Sequence, residues 1–176
     1  MRRRVWARGA SGGCAAPIPK QRRVKLRLIA VGKIREPYVA QACDDFRMRL
    51  RRYEAFDEVE VAASSGSDPE RAMREEGERI LKLALPGEPF WLLERTGEAL
   101  SSIELAERLR DVANAGAARL TLAVAGTYGA SPPLLARADA RLSLSRLTFL
   151  HEWARALVLE QLYRAAKIAR NEPYHH

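Results

Sequence analysis

The segment Leu120–Gly129, LTLAVAGTYG, decides the fold class of this 176-residue chain. Leu120–Ala125 is apolar except for one threonine, and Gly126 interrupts the run. A short apolar run that ends in a glycine turn is typical of a strand that is buried on both faces, as in a parallel sheet. The segment therefore predicts a buried strand whose end opens into a loop.

Four other segments have the composition and spacing of strands. They are Val24–Gly32, Phe56–Ala63, Pro89–Glu94 and Leu142–Leu144. Apolar residues at helical spacing and capping signals predict helices between and after the strands: Tyr38–Tyr53, Asp68–Leu83, one from Ser101 to about Ala113, a short one opened by Ser131–Pro133, and His151–Arg170. Strands that alternate with helices predict an α/β fold, with a mostly parallel five-stranded sheet and helices on both faces.

Two of these helices have clear start signals. Asp68 followed by Pro69 is an N-cap residue with proline in the first helical position. Ser101 and Glu104 have the spacing of a capping box.

Ligands of parallel sheets bind at the carboxyl ends of the strands. The last three predicted strands end in the loops Glu94–Gly97, Gly126–Gly129 and Ser145–Phe149, and we expect these loops to converge on one site. The sequence contains no dinucleotide fingerprint, phosphate-binding P-loop or zinc-ligand pattern. A nicotinamide-dependent enzyme is therefore a remote alternative.

Composition narrows the class of protein. With 47% hydrophobic and 30% charged residues, the chain has enough apolar side chains for one domain with a real core. No apolar run approaches the roughly 18 residues of a membrane helix. Cys14 and Cys43 are too few for a disulfide scaffold, and neither has neighbours at metal-ligand spacing. These features predict a cytoplasmic protein without a metal.

The net charge of +8 is concentrated at the N-terminus. Residues 1–23 contain seven basic residues and no acidic one, so residues 24–176 are nearly neutral. The first 23 residues have no apolar periodicity, and we expect them to be disordered. They have the composition of an organellar transit peptide, of a basic RNA-binding tail, or of a leader that is not part of the native protein. The domain itself is predicted at residues 24–176.

The last predicted helix is apolar around most of its circumference. In so small a domain, such a helix indicates burial on more than one side and hence a subunit interface. Arg155 lies within its apolar face, with His151 one turn earlier. A charge in that position is paired or faces a ligand; alternatively, it extends to solvent or bridges two subunits.

The C-terminal residues Asn171–His176, NEPYHH, combine one aromatic ring with two imidazoles. Such side chains can stack on a nucleobase and hydrogen-bond to its edge. A terminal histidine pair can equally be exposed and without function.

Several motifs of the last third together resemble one family. They are LSLSRLTF at Leu142–Phe149, His151, Arg155, EQLYRAAKI at Glu160–Ile168, and EPYHH at the C-terminus. This combination is similar to the methyltransferases that modify N3 of a pseudouridine in 23S ribosomal RNA, a minimal branch of the SPOUT superfamily. The resemblance begins at Val24 and includes LRLIAVGKI, EEGERIL at Glu75–Leu81, LLERTG and AGTYG.

The resemblance implies a homodimer whose C-terminal part forms a trefoil knot around S-adenosylmethionine. It implies that the substrate is 23S ribosomal RNA within the assembled ribosome. The implied donor-binding residues are Leu93, Ala125, Gly126, Leu144, Ser145, Arg146, Leu147, Thr148 and Phe149. The implied catalytic residues are Arg155, Tyr174 and His175, with Arg155 offsetting negative charge on the base. The predicted RNA contacts are His151, which would also orient the donor loop, Arg164, Lys167 and Arg170, and Arg146 is a further candidate for phosphate contact. The four cations could equally form a solvated basic face.

Two positions depart from the family pattern. Ala125 replaces the first glycine of the usual turn, and Leu150 replaces the usual proline before the histidine. These departures leave two alternatives: an RNA-binding protein that has lost the donor, or a SPOUT enzyme that acts on a different RNA.

Overall fold

The structure is a computed structural model that describes residues 23–173. The described part contains five strands and five helices in strict alternation. In chain order these are β1 (Lys25–Val31), α1 (Pro37–Arg51), β2 (Phe56–Val61), α2 (Pro69–Leu81), β3 (Phe90–Ala99), α3 (Ser102–Asn114), β4 (Arg119–Val124), α4 (Pro132–Arg137), β5 (Ala140–Ser143) and α5 (His151–Ile168). The predicted α/β class and the five strands are confirmed. The disorder predicted for residues 1–23 concerns positions that, except for Arg23, lie outside the described residues.

All strand pairs in the sheet are parallel, in the order β2-β1-β4-β3-β5. The segment that opened the sequence analysis forms the central strand, where Leu122 is paired with Leu28 on one side and Trp91 on the other. Its apolar character follows from this position, because both of its faces are covered by helices.

Two cores form on the two faces of the sheet. The larger contains Leu28 and Leu122 from the strands and Leu159 and Leu162 from α5, with α1 and α3 packed around them. The smaller contains Ile29 and Phe90 and is covered by α2 and α4. Alternate residues of β1 thus serve opposite cores, as the two-residue period of a strand requires.

Both predicted helix starts are present. The Asp68 carboxylate accepts hydrogen bonds from the backbone N–H groups of Glu70 and Arg71. Ser101 and Glu104 form the reciprocal capping box. These signals act within four residues, which explains why sequence alone identified them.

Strand β3 is longer than predicted. It continues past Glu94 to Ala99 through an irregularity, so that both Leu93 and Glu98 are paired with Leu142 of β5. The sequence prediction ended at Glu94 because the residues that follow are polar. Their pairing depends on β5, which lies more than 40 residues later in the chain.

The helix α5 also differs from its sequence interpretation. Its apolar circumference is covered within the same chain, because α5 packs against both α1 and α3 on the sheet. The helix pattern is therefore explained without a second subunit. Within residues 23–173, no helix is both long and apolar enough to cross a membrane.

Cys43 of α1 is fully buried, and burial raises the pKa of its thiol although Arg47 and Arg155 act in the opposite direction. A buried thiol with a raised pKa reacts slowly, because the thiolate is the nucleophile. We expect iodoacetamide to alkylate Cys43 at least about tenfold more slowly in native protein than in urea. Peptide mapping separates it from Cys14. Equal rates in the two states would show that the α1 side of the core opens readily.

Candidate functional site

Two cavities lie near the loops that follow the carboxyl ends of the strands. The first, called here the apolar pocket, is about 330 Å³ and lies between the ends of β3 and β5 and the helices α3 and α5. The second, the carboxylate cleft, is about 830 Å³ and lies at the ends of β1, β2 and β4 beside the start of α5. Both are within the size range of small-molecule sites.

Mostly apolar side chains line the apolar pocket. Leu93, Leu144 and Phe149 come from the strand ends and the following loop, and Leu157 and Val158 come from α5. The hydroxyl of Ser102 donates to Oε1 of Gln161 across the pocket wall, at 2.7 Å. An apolar cavity with a few polar groups suits a flat heterocycle that carries polar substituents.

The predicted donor-binding residues are distributed over both cavities. Leu93, Leu144 and Phe149 line the apolar pocket, whereas Gly126 lines the carboxylate cleft. The others, Ala125, Ser145, Arg146, Leu147 and Thr148, line neither cavity. The sequence predicted that three loops converge on one site. In the structure, the loops after β3 and β5 meet at the apolar pocket, whereas the Gly126 turn lines the carboxylate cleft beside it.

The loop Leu144–Leu150 connects the two cavities. It leaves β5 at one edge of the sheet, contributes Phe149 to the apolar pocket, and ends where His151 lies near Gly32. Glu152 of α5 then accepts hydrogen bonds from the backbone N–H groups of Arg35 and Glu36, at 3.0 and 3.2 Å. The chain thus passes across the ends of β3 and β4 to reach β1.

The carboxylate cleft has an acidic floor and a basic rim. Lys33, Arg35 and His151 line it, and the first two are exposed. Glu60, Glu76 and Glu152 supply the acidic groups. Among the described residues, neither Lys33 nor Arg35 forms a side-chain ion pair.

Glu76 is the least satisfied of these groups. The residue is only 6% exposed, and its Oε1 accepts a hydrogen bond from the Ser64 backbone N–H at 2.9 Å. Its Oε2 is buried without any hydrogen-bond partner. This oxygen lies so close to Gly126 that a Cβ atom there would overlap it. A buried carboxylate oxygen without a donor is costly, and such groups concentrate at functional sites.

The neighbouring Glu75 differs sharply from Glu76. Hydrogen bonds from the Ser64 hydroxyl and from Arg71 lower its pKa to about 2. Both carboxylates therefore hold Ser64, one through its side chain and the other through its backbone. Only Glu76 has an oxygen left over.

Arg155 is 3% exposed and is paired within its own chain. Its guanidinium contacts Glu58 and donates to Glu60 at 2.6 Å and to the Gly32 carbonyl at 3.4 Å. Glu58 and Glu60 have the same parity as Phe56 of the larger core and alternate with residues such as Val61, which belongs to the smaller core, so both glutamates lie on the face that α5 covers. Arg47 of α1 also contacts Glu58. An ion pair was one of the alternatives that the sequence left open for Arg155, but the sequence did not identify these carboxylates.

The basic residues predicted to contact RNA have partners inside the chain. Arg164 is paired with Glu160 at 2.6 Å, and Lys167 with Glu172 at 3.7 Å. Arg170 donates to the Tyr53 carbonyl and to Glu54. All three cations therefore have acceptors within their own chain, and their contact with RNA stays a prediction. His151, in contrast, lines the carboxylate cleft.

The remaining predicted catalytic residues, Tyr174 and His175, lie outside the described residues. The last described part of the tail is anchored near the end of α1, where the Tyr53 hydroxyl donates to Glu172 at 2.7 Å. Since α5 begins at the cleft and has 18 residues, its other end is about 27 Å away.

Exposed apolar side chains surround the start of α5. Leu147 is 72% and Leu150 is 69% exposed, and Phe149 and Trp153 are also exposed. Tyr38 of α1 extends this surface, with its ring 5.9 Å from that of Trp153. We call these five residues the apolar surface patch. Contiguous exposed apolar groups of this kind mark interaction sites.

No cluster of three or more metal-ligating side chains occurs in the part of the chain that the structure describes. The arrangement instead consists of an apolar pocket, a cleft with acidic and basic groups, and a loop that joins them.

Comparison with known proteins agrees with this architecture. A family model described as "Predicted SPOUT methyltransferase" matches residues 24–175. The "Ribosomal RNA large subunit methyltransferase H" of Pelobacter propionicus is 42% identical over 153 residues, which is 87% of this chain and 100% of that protein. The protein of the same name from Moorella thermoacetica is 42% identical over 156 residues, covering 85% of this chain and 98% of that protein.

Proposed function

The chain belongs to the SPOUT methyltransferase family, and from this premise we propose that it methylates N3 of a pseudouridine in large-subunit ribosomal RNA. The methyl donor is S-adenosylmethionine and the substrate is the assembled ribosome in the cytoplasm. The relatives are named for methylation of the large-subunit RNA, and the matches cover 98–100% of their length and 85–87% of this chain.

The observation that carries the proposal is the convergence of Leu93, Leu144 and Phe149 on the apolar pocket. The resemblance in sequence implies donor contacts for the same three residues. The pocket fits the donor, because its leucines and Phe149 suit an adenine ring and a thioether chain, and Ser101, Ser102 and Glu98 add polar groups for the sugar. The donor supplies a methyl group on a positively charged sulfur.

The path of Leu144–Leu150 supports a trefoil knot in the C-terminal part. This loop starts at β5 on the sheet edge and crosses two strand ends before α5 begins beside β1. In the proposal, the loop encloses the donor and His151 holds its far end. Knotted chains are rare, so this part of the proposal depends on family membership as well as on the loop path.

The apolar surface patch supports a homodimer. Its five side chains include two of the most exposed large apolar residues in residues 23–173, and a second copy of the chain would cover them. We therefore place the subunit interface at this patch and not at the apolar circumference of α5, which α1 and α3 cover.

Chain reach supports an active site that two subunits share. Tyr174 and His175 are the first and second residues after Pro173, so they lie at most about 7 Å along the chain from it, while the carboxylate cleft lies about 27 Å from the end of α5. Tyr174 and His175 therefore act, in the proposal, at the target base in the cleft of the partner subunit. Arg155 holds the cleft wall through Glu60 and Gly32. That its charge also offsets charge on the base stays a prediction, weakened by these carboxylate partners.

The test is transfer of a labelled methyl group from S-adenosylmethionine to assembled ribosomes, with mapping of the modified nucleoside. We expect N3-methylpseudouridine in the large-subunit RNA. Label in another nucleoside or in transfer RNA would identify a different SPOUT activity. Donor binding without any transfer to RNA would identify a protein that has lost catalysis.

We expect His175→Ala to reduce the methylation rate by about 100-fold, the scale of a lost acid–base or orienting group. The donor affinity measured by calorimetry should stay within about twofold of wild type, because in this proposal His175 contacts the target base and not the donor. His176→Ala is the matched control and should retain its rate. Equal activity of both variants and wild type would remove the tail from the mechanism.

A further inference from the structure

We propose that the carboxylate cleft binds the nucleotide that is methylated and that Glu76 accepts the proton from its N3. The inference rests on the proposed function and assigns the base-binding site and the proton acceptor within it. Its starting point is the buried Oε2 of Glu76, which has no partner in the described structure.

The cleft matches a nucleotide in charge. Lys33 and Arg35 are exposed at the rim, where they can contact a phosphate, and Glu76 is buried at the floor. A pyrimidine ring whose N3 bears hydrogen presents a donor on its edge, and an unpaired carboxylate oxygen is the complementary acceptor. The cleft volume of about 830 Å³ is sufficient for a nucleotide.

The other acidic groups of the cleft are already engaged. Glu60 is bound by Arg155, and Glu152 accepts from two backbone N–H groups. Glu76 has one engaged oxygen, held by Ser64, and this contact fixes the direction of the other. A carboxylate that is oriented by one oxygen and free at the other is well suited to orient a base.

Gly126 controls the approach to Oε2. This oxygen lies against the Gly126–Gly129 turn, where any side chain at Gly126 would overlap Glu76. The turn is closed by a hydrogen bond from the Gly129 N–H to the Gly126 carbonyl, at 3.0 Å. Binding of the base requires this turn to move aside, so that the ring edge replaces it over the carboxylate.

The neighbouring position of the two cavities fits the reaction. Phe149 lines the apolar pocket and His151, two residues later, lines the cleft. As the N3 lone pair bonds to the methyl carbon, the carbon–sulfur bond breaks with its electron pair going to sulfur. The N3 proton passes to Oε2 of Glu76 and from there to water. The sulfonium charge and the carboxylate charge are both neutralised in this step.

Glu76→Gln tests the assignment, because the amide keeps an oxygen for the Ser64 N–H and removes the proton acceptor. Glu75→Gln on the same helix is the control, since Glu75 also holds Ser64 but lies outside the cleft lining. In single-turnover methylation of ribosomes we expect the Glu76 variant to be about 100-fold slower than wild type near neutral pH. Its rate should rise with pH up to about pH 9, as the N3 imide ionises without help. The control should keep the wild-type rate and profile.

Calorimetry of S-adenosylmethionine binding and thermal unfolding accompany the kinetics. In Glu76→Gln the donor affinity should be unchanged, and the unfolding temperature should not fall, because the change removes a buried carboxylate oxygen that lacks a donor. A full rate in this variant overturns the assignment, and so does a loss of donor affinity equal to the loss of rate. Wild-type protein that does not methylate ribosomes overturns the proposed function and this inference together. An active wild type with an active Glu76→Gln variant overturns the inference alone.

The rim is tested separately with Lys33→Ala combined with Arg35→Ala. We expect a rise of about tenfold in KM for ribosomes with little change in kcat, because phosphate contacts position the substrate. An unchanged KM would place the phosphate elsewhere and overturn the assignment of the rim.

Discussion

Arg155→Ala lowers the free energy of unfolding by about 3 to 5 kcal/mol, the expected cost of removing one partner from a buried ion pair. Arg155 is buried between α5 and β2, where its guanidinium donates hydrogen bonds to Glu58, Glu60 and the Gly32 carbonyl. Its removal leaves Glu58, whose side chain is 6% exposed, with Arg47 as its remaining cation. The loss is therefore dominated by an undercompensated carboxylate inside the protein.

Urea unfolding of the full chain measures this effect. Arg71→Ala is the control, since Arg71 forms an exposed pair with Glu75 one helical turn away, and pairs of that kind contribute less than about 1 kcal/mol. A second change, Glu58→Gln in the Arg155→Ala background, should recover part of the stability, because it removes the buried charge that lost its partner. A loss near that of the control would mean that solvent reaches the cluster and screens it.

Gly97→Ala destabilises the chain by about 3 kcal/mol and weakens donor binding at the same time. An added Cβ atom at Gly97 would lie 2.6 Å from the carbonyl carbon of Arg141 and 2.7 Å from the backbone nitrogen of Leu142. Both are backbone atoms of β5, so no side chain can rotate away and the two strands must separate. Here, where β3 is irregular, Leu142 is paired with both Leu93 and Glu98.

The loss of donor affinity follows from the position of this contact. Leu93, Glu98 and Leu142 line the apolar pocket, so a shift of β5 changes the shape of its wall. Calorimetry with S-adenosylmethionine and urea unfolding measure the two effects. Arg95→Ala is the control, because the Arg95 side chain is exposed and only its backbone carbonyl holds Ser143. Unchanged donor affinity in a destabilised Gly97→Ala protein would show that the donor does not bind in the apolar pocket.

Local patterns account for what was predictable about the fold. The Asp68 cap, the Ser101–Glu104 box and the buried strand Leu120–Ala125 each depend on groups within a few residues, and all are present in the structure. The predicted end of β3 at Glu94 is wrong, because the strand continues to residues that are paired with β5, and no local pattern encodes that contact. The pattern of α5 was read correctly as burial, but the cover comes from α1 and α3.

The site divides in the same way. Family motifs identified Leu93, Leu144 and Phe149, and the structure brings these three together in one pocket. The segment Glu75–Leu81 also belongs to the resemblance, but its sequence does not show which of its first two glutamates lines the cleft. Their difference appears only when α2 packs beside the Gly126 turn, which leaves one oxygen of Glu76 without a partner.

The sequence by itself determined the alternation of strands and helices, the central strand and the methyltransferase family, because these depend on local periodicity and on motifs that span the chain. Only the tertiary structure decided which charges meet. Arg155 finds Glu58 and Glu60 at separations of 97 and 95 residues, across α5 and β2. Pairing at that distance depends on the sheet order and on which face each strand residue takes. These are properties of the assembled core, where a buried charge that lacks a partner is costly.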